Sequence, residues 1–257
     1  MLKTKLILPK VINKREIYNF FIDNGMKFLI DEYKFNGKIK SFKPNLEDLY
    51  FLYQIIVLNK RISVLEYGCG WSSLVISLAL EHNKKKYSKI TQNLRKKNQY
   101  ELHCIDNYKT YINLTKKRMK NFNRNGSFKF IFSECKMNIF EDRYCTLFEK
   151  KIDMNPDLIY LDGPSHIGVK NNNFKFNTSI NDFMPMSADI LTYEFFLIPG
   201  TIIIIDGRAA NANFLKKMFK RKWLYKYNKV IDQHYFILSD DSFGMHNDKL
   251  ISFWKSK

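Results

Sequence analysis

Val64-Leu65-Glu66-Tyr67-Gly68-Cys69-Gly70-Trp71-Ser72-Ser73 is a short apolar run that ends in an acid and then in two glycines spaced by one residue. Arg61 to Leu65 suits a strand, and Leu74, Val75, Ile76, Leu78 and Leu80 continue a helix that Ser72 or Ser73 can N-cap. Strand, glycine turn and helix in that order open a nucleotide-type α/β fold, although two glycines also serve turns that hold no ligand. Gly68 and Gly70 mark where the backbone turns sharply or lets a ligand come close.

Upstream of this unit, Pro44 and Asn45 open a helix in which Leu49, Leu52, Tyr53 and Ile56 recur at helical spacing. Earlier still, an Asn13-x-x-Glu16 capping box precedes Ile17, Phe20 and Phe21 and predicts a short helix that fails near Gly25. Met26 to Tyr33 forms a second amphipathic piece, and Lys34 to Lys43 a basic link. These segments set apart an N-terminal helical extension, residues 1–44, from a main domain, residues 45–257.

Downstream the pattern alternates. Glu101 to Asp106, Phe128 to Phe132, Asp157 to Asp162 and Thr201 to Ile205 read as strands, with helices over Tyr108 to Asn121, Ala188 to Phe196 and Ala209 to Phe219. Glu81 to Asn98 is a lysine-dense, solvated insertion that can be partly helical, Glu134 to Lys150 mixes loop and helix, and Gly163 to Asp182 is a long polar loop that includes Asn171-Asn172-Asn173. Trp223 to Val230 and Tyr235 to Leu238 close the chain as a hairpin. Such alternation builds a parallel sheet covered on both faces.

Composition bounds the function more loosely. A chain of 257 residues, 45% hydrophobic, buries a full core. Its net charge of +18 suits an anionic partner such as nucleic acid, a membrane surface or a charged glycan. The lysines are dispersed, however, and a lysine-, asparagine- and isoleucine-rich composition accounts for them equally well. The four cysteines show no C-x-x-C spacing and read as buried free thiols of a reducing compartment. Residues 1–10 are too weakly apolar for a signal peptide, and Phe195 to Ile205 is interrupted by Pro199-Gly200. The expectation is a cytoplasmic protein with no stable membrane insertion.

Ligands of open α/β sheets bind outside the carboxyl ends of the strands. Five acids stand there: Glu66, Asp106, Glu134, Asp162 and Asp206. A carboxylate at Asp106 can accept from both hydroxyls of a ribose. Glu66, two residues before Gly68, would repel a pyrophosphate and attract a cationic group such as an α-ammonium. S-adenosylmethionine carries both a ribose and an ammonium.

Leu65-Glu66-Tyr67-Gly68-Cys69-Gly70 resembles the first motif of class I S-adenosylmethionine-dependent methyltransferases, and Ile105-Asp106 resembles their second; the likeness spans Asn45 to the C-terminus. It implies a Rossmann-like three-layer α/β sandwich with a seven-stranded, mostly parallel sheet and a final antiparallel strand. The gap from Gly70 to Asp106 exceeds the about 20 residues usual between such a turn and its ribose acid, and the lysine-rich insertion fills it. Asp157 to His166 and Gly200 to Asp206 are similar to the O-methyltransferase branch, and the Asn-Pro-Pro-Tyr motif of base amino-methylating enzymes is absent.

The resemblance implies S-adenosylmethionine held by Glu66, Gly68, Cys69, Gly70, Asp106, Glu134 and Asp162, with Asp162 and His166 as catalytic candidates. His166 stands as the base for an acceptor hydroxyl, and a loop histidine that is merely hydrogen-bonded stands beside that reading. Asp162 and Asp206 could share a divalent cation such as Mg, although Gly207-Arg208 replaces the usual further ligands. Arg208 could instead pair with Asp162 or hold an anionic acceptor, and Asn211 could bind a polyol or cap a helix.

The expected function is therefore O-methylation of a sugar, glycan precursor or other small hydroxyl-bearing molecule. An RNA 2′-O-methyltransferase and a non-catalytic anion- or nucleic-acid-binding module are the alternatives.

Overall fold

A computed structural model describes residues 5–34, 42–122, 126–171, 174, 178 and 183–256. Most of the basic link and of the polar loop with Asn172 and Asn173 therefore lies outside the described residues. The helices are α1 (Lys14–Asp23), α2 (Lys27–Lys34), α3 (Leu46–Leu58), α4 (Trp71–Thr91), α5 (Lys109–Phe122), α6 (Ala209–Met218) and α7 (Met245–Lys255). The strands are β1 (Ser63–Tyr67), β2 (Glu101–Asp106), β3 (Ser127–Phe132), β4 (Cys135–Phe140), β5 (Arg143–Phe148), β6 (Leu158–Leu161), β7 (Val169–Lys170), β8 (Ile202–Asp206), β9 (Trp223–Asn228) and β10 (Gln233–Leu238).

Seven strands form the main sheet in the order β3-β2-β1-β6-β8-β10-β9, and β10 runs antiparallel to both of its neighbours. This is the mostly parallel, Rossmann-like sheet that the strand–helix alternation implies. The order reverses at β1, whose partners β2 and β6 lie on opposite sides, so a crevice opens at the carboxyl ends of β1, β2 and β6.

The central strands are buried on both faces, which explains runs such as Ile202–Ile205 with no exposure at all. One face carries Val64, Leu102, Leu158, Ile202 and Ile204 beneath α3 and α4, and α1 and α2 add Ile17, Phe21 and Leu29 to the same core. The other face carries Leu65, Ile105, Ile159, Ile203 and Ile205 beneath α6 and the 3-10 segment Asp189–Phe196.

Both N-terminal caps are as the sequence predicts. The Asn13 and Glu16 side chains exchange hydrogen bonds with each other's backbone, and Asn45 Oδ1 accepts from Glu47 N at 3.2 Å. Three elements differ from expectation. Glu134–Lys150 is the hairpin β4–β5, part of a small second sheet with β7, rather than loop and helix. Its turn places Glu141 and Asp142 at φ 45° and 60°, a left-handed pair without the Asn-Gly signal that marks such turns.

The lysine-dense insertion is partly helical, within what the sequence allows, because α4 continues to Thr91 with Tyr87 and Thr91 still buried. Neither Ser72 nor Ser73 caps α4; Gly70 occupies that position, and the serines turn inward. Finally, α7 closes the amino-terminal end of the sheet, where Trp254 packs with Ile62 and Tyr100 and lies 4.1 Å from the buried Arg61 guanidinium. The alternating aromatics of β9 belong to an edge strand, and Tyr227 stacks on His234 of β10.

Candidate active site

A cavity of about 640 Å³ opens at the carboxyl ends of β1, β2, β6 and β8. It gathers residues from far apart in sequence: the Gly68–Gly70 turn, Asp106, Asp162, His166, Asp206 and Arg208. A space of this size suits a nucleoside-sized ligand together with part of a second molecule.

The glycines have separate jobs. Gly68 has φ +87°, and a Cβ there would come 2.9 Å from Gly163 N, while a Cβ on Gly163 would come 2.5 Å from Gly68 N. The pair lets the loops after β1 and β6 touch backbone to backbone. A Cβ on Gly70, in contrast, would meet nothing within 4 Å, since that residue borders the cavity.

Asp106 floors the cavity beside this turn. Its Oδ2 accepts from Cys69 N at 2.9 Å and its Oδ1 from Tyr108 N at 2.7 Å, so the carboxylate braces the glycine turn at the cavity lining. Burial pushes its pKa up, and these backbone donors pull it back.

Glu66 does not reach the cavity. It is wholly buried, with Ser72 Oγ and Ser73 Oγ each donating to it at 2.5 Å and Cys104 Sγ at 3.0 Å. An ammonium cannot reach an acid enclosed in this way, so its role is to tie α4 to β1 and β2. Burial lifts its pKa to about 7 against those three donors.

Two further residues named from sequence also sit elsewhere. Glu134 pairs with Lys170 on β7 and Lys136 on β4, outside the cavity lining. Asn211 is buried and spends both amide ends on the Ser187 backbone, accepting at 3.1 Å and donating at 3.2 Å.

Arg208 and the loop after β6 form a braced unit. Its guanidinium donates to Gly163 O at 3.1 Å and Pro164 O at 2.5 Å and lies beside Asp162. From the other side Asn107 exchanges two 3.0 Å hydrogen bonds with the Ser165 backbone. His166, the next residue, is thereby held at the cavity wall from two strands at once. Asp162 keeps contact with the cavity space, yet enclosure by protein and the neighbouring Asp206 raise its pKa while Arg208 opposes the rise.

The donor set does not suit a divalent cation. Among the described residues no three His, Cys, Asp or Glu side chains converge as ligands. Asp206 Oδ2 accepts from Tyr160 OH at 2.5 Å, and Arg208 places a positive charge where Asp162 would have to bind the ion.

Several lining residues were not legible in sequence. Asp48 reaches the cavity from the first turn of α3, where its position reads only as a helix-dipole acid. Asp232 comes from the turn before β10. Arg118 of α5 lies 3.5 Å over the Trp71 ring, and Trp71 Nε1 donates to Phe42 O at 3.0 Å, which anchors the segment entering α3 at the cavity rim.

No family model matches the chain, and neither does any curated protein. Among solved structures, it is similar to the O-methyltransferase from Bacillus cereus in complex with S-adenosylhomocysteine, at 11% identity and TM-score 0.43, over 90% of this chain and 93% of that one. It is similar to TomG of Streptomyces achromogenes, an O-methyltransferase involved in tomaymycin synthesis, at 11% identity and TM-score 0.43, over 92% and 93%. The S-adenosylhomocysteine-bound methyltransferase of Podospora anserina gives 13% identity and TM-score 0.43, over 92% and 100%. Likenesses this distant decide nothing about the site, whose reading rests on the chain's own residues.

Proposed function

We propose that the chain is an S-adenosylmethionine-dependent methyltransferase acting on a hydroxyl of a small molecule, a sugar or glycan precursor being the class favoured. The observation that carries this reading is the convergence of the Gly68–Gly70 turn, Asp106, Asp162 and His166 on one cavity at the reversal point of the sheet. Asp106 would take the ribose hydroxyls, and Asp162, the acid that does face the space, would take the ammonium assigned from sequence to Glu66.

Bound S-adenosylmethionine supplies a methyl group already activated on a sulfonium. The protein then has two tasks: to align the acceptor oxygen and to receive its proton. His166 would accept the proton of the acceptor hydroxyl as that oxygen takes the methyl group. The double brace on its loop supports the alignment role, since a base fixed in place loses little entropy on engaging its partner.

The lining itself speaks for a small acceptor over RNA. Five aspartates border the cavity, namely 48, 106, 162, 206 and 232, and would repel a phosphate chain threading into it despite the basic surface. Calorimetric titration with S-adenosylmethionine and S-adenosylhomocysteine tests the reading: binding that Asp106→Asn weakens supports it, and no binding of either refutes it. Affinity for mixed RNA falling steeply with salt would move the acceptor to nucleic acid.

A further inference from the structure

The amino-terminal end of the sheet, opposite the cavity, carries large apolar side chains in solvent. Phe195 and Phe196, adjacent at the end of the 3-10 segment, are 66% and 76% exposed, and Phe243 and Met245 at the entrance to α7 are 58% and 64% exposed. Apolar side chains scattered singly over a surface mean little, but these four stand on segments that touch. Arg221 donates to Glu194 O and Leu197 O, on either side of the phenylalanine pair, while its guanidinium lies 4.9 Å from the centre of the Phe243 ring. Asn247 of α7 donates to Pro199 O at 3.3 Å.

The phenylalanine pair is held out on a fixed base. The buried Glu194 carboxylate accepts from Lys220 N at 3.1 Å, Arg221 N at 2.9 Å and Trp223 Nε1 at 2.8 Å, and Asn155 Nδ2 donates to Phe196 O at 2.8 Å. Rings presented on such a base lose little freedom on meeting a partner.

Charge decides which partner. Lys150 and the Asp189-paired Lys151 border the same depression as Phe196, Lys222 follows Arg221, and Lys249 lies one helical turn beyond Met245. Asp153, Asp241 and Asp248 stand among them, so the local excess of positive charge is small, and the net charge of +18 supplies the longer-range attraction. A second copy of so basic a chain is repelled, whereas a surface anionic outside and apolar within satisfies both the lysines and the rings.

We infer that this end of the molecule docks peripherally on an anionic lipid bilayer, with Phe195, Phe196, Phe243 and Met245 entering the interface. The cavity at the carboxyl ends of the strands then stays open to the aqueous side. Docking of this kind does not depend on the methyltransferase reading.

The test sediments the full chain with vesicles of phosphatidylcholine alone or mixed with phosphatidylglycerol. Binding to the mixed vesicles is expected, weakening as salt rises. Phe195→Ser combined with Phe196→Ser is expected to lower the partition coefficient about tenfold or more, a loss that purely electrostatic adsorption of a basic chain does not show. Urea unfolding of the double variant, with an unchanged midpoint expected for two exposed rings, shows that the loss is not one of folding. Phe196→Trp, which keeps an aromatic ring, is expected to add fluorescence quenching by mixed vesicles with brominated acyl chains beyond that of the wild type. Failure of the wild type to bind mixed vesicles, a double variant that binds as well as the wild type, or no added quenching in Phe196→Trp overturns the inference. Self-association of the chain that the double variant abolishes also overturns it, since a protein surface would then cover the rings.

Discussion

Replacing Glu66 by Gln probes the enclosed acid on which the strand-to-helix junction is built. Burial raises this carboxyl from an ordinary 4.5 to about 7, in spite of the hydrogen bonds from Cys104, Ser72 and Ser73. The folded chain therefore binds this proton more tightly than the unfolded chain does. The stability that the group contributes is complete below its unfolded value of 4.5 and is lost as pH rises through about 7. The difference between the two values corresponds to about 3 kcal/mol.

The amide introduced by Glu66→Gln cannot ionise, so that slope disappears in the variant. In its place comes a cost independent of pH, since three side chains donate toward position 66 and an amide nitrogen cannot accept from any of them. One donor left unpaired in the interior costs about 1–3 kcal/mol.

The variant should thus be the less stable protein near the low end of the range, and the gap should close or reverse as pH rises. Urea unfolding of both proteins in steps between about pH 5 and about pH 8 measures this, provided the slope with denaturant is unchanged. Titration of other groups is common to both chains and cancels in the difference. Two curves that stay parallel across the range would refute the reasoning.

Three further outcomes follow from the geometry. Gly163→Ala would place a Cβ 2.5 Å from Gly68 N and 2.8 Å from Gly68 Cα, both backbone, and should cost at least about 1–3 kcal/mol in urea unfolding while weakening S-adenosylhomocysteine binding; an unchanged midpoint would contradict the close loop contact. Trp254→Ala should cost about 3–5 kcal/mol yet leave S-adenosylhomocysteine affinity unaltered, because α7 covers the opposite end of the sheet; a folded variant with lost affinity would contradict that separation. Asn107→Ala should speed hydrogen exchange at the Ser165 amide, whose acceptor is Asn107 Oδ1, and an unchanged rate would show that the His166 loop is held by Arg208 alone.

Much of the scaffold was legible because local rules and tertiary structure agree there. β2 spans Glu101–Asp106 as its alternation implied, and the capping asparagines Asn13 and Asn45 start their helices where expected. The hairpin over Cys135–Phe148 was not legible, because its turn uses Glu141-Asp142 and its second strand, Arg143–Phe148, lacks the strict alternation that Cys135–Ile139 shows. Helix α7 was missed for a related reason: Met245-His246-Asn247-Asp248 carries little apolar periodicity, and its burial depends on Ile62, Tyr87 and Tyr100 from distant parts of the chain.

Within the site, the sequence by itself determined that acids end the strands, because strand limits follow from apolar periodicity and Gly68 and Gly70 mark the turn. It could not determine which of those acids face a ligand. Successive residues of a strand point to opposite faces and neighbouring strands end at different depths, so that selection depends on the packing above them. Tertiary structure turns Glu66 inward onto Ser72, Ser73 and Cys104, sends Glu134 to Lys170 and Asn211 to Ser187, and leaves Asp106, Asp162 and Asp206 on the cavity. It also brings Asp48 across from α3 to the cavity that Asp162 and Asp206 line, more than a hundred positions away in sequence, a juxtaposition that only the folding of the chain creates.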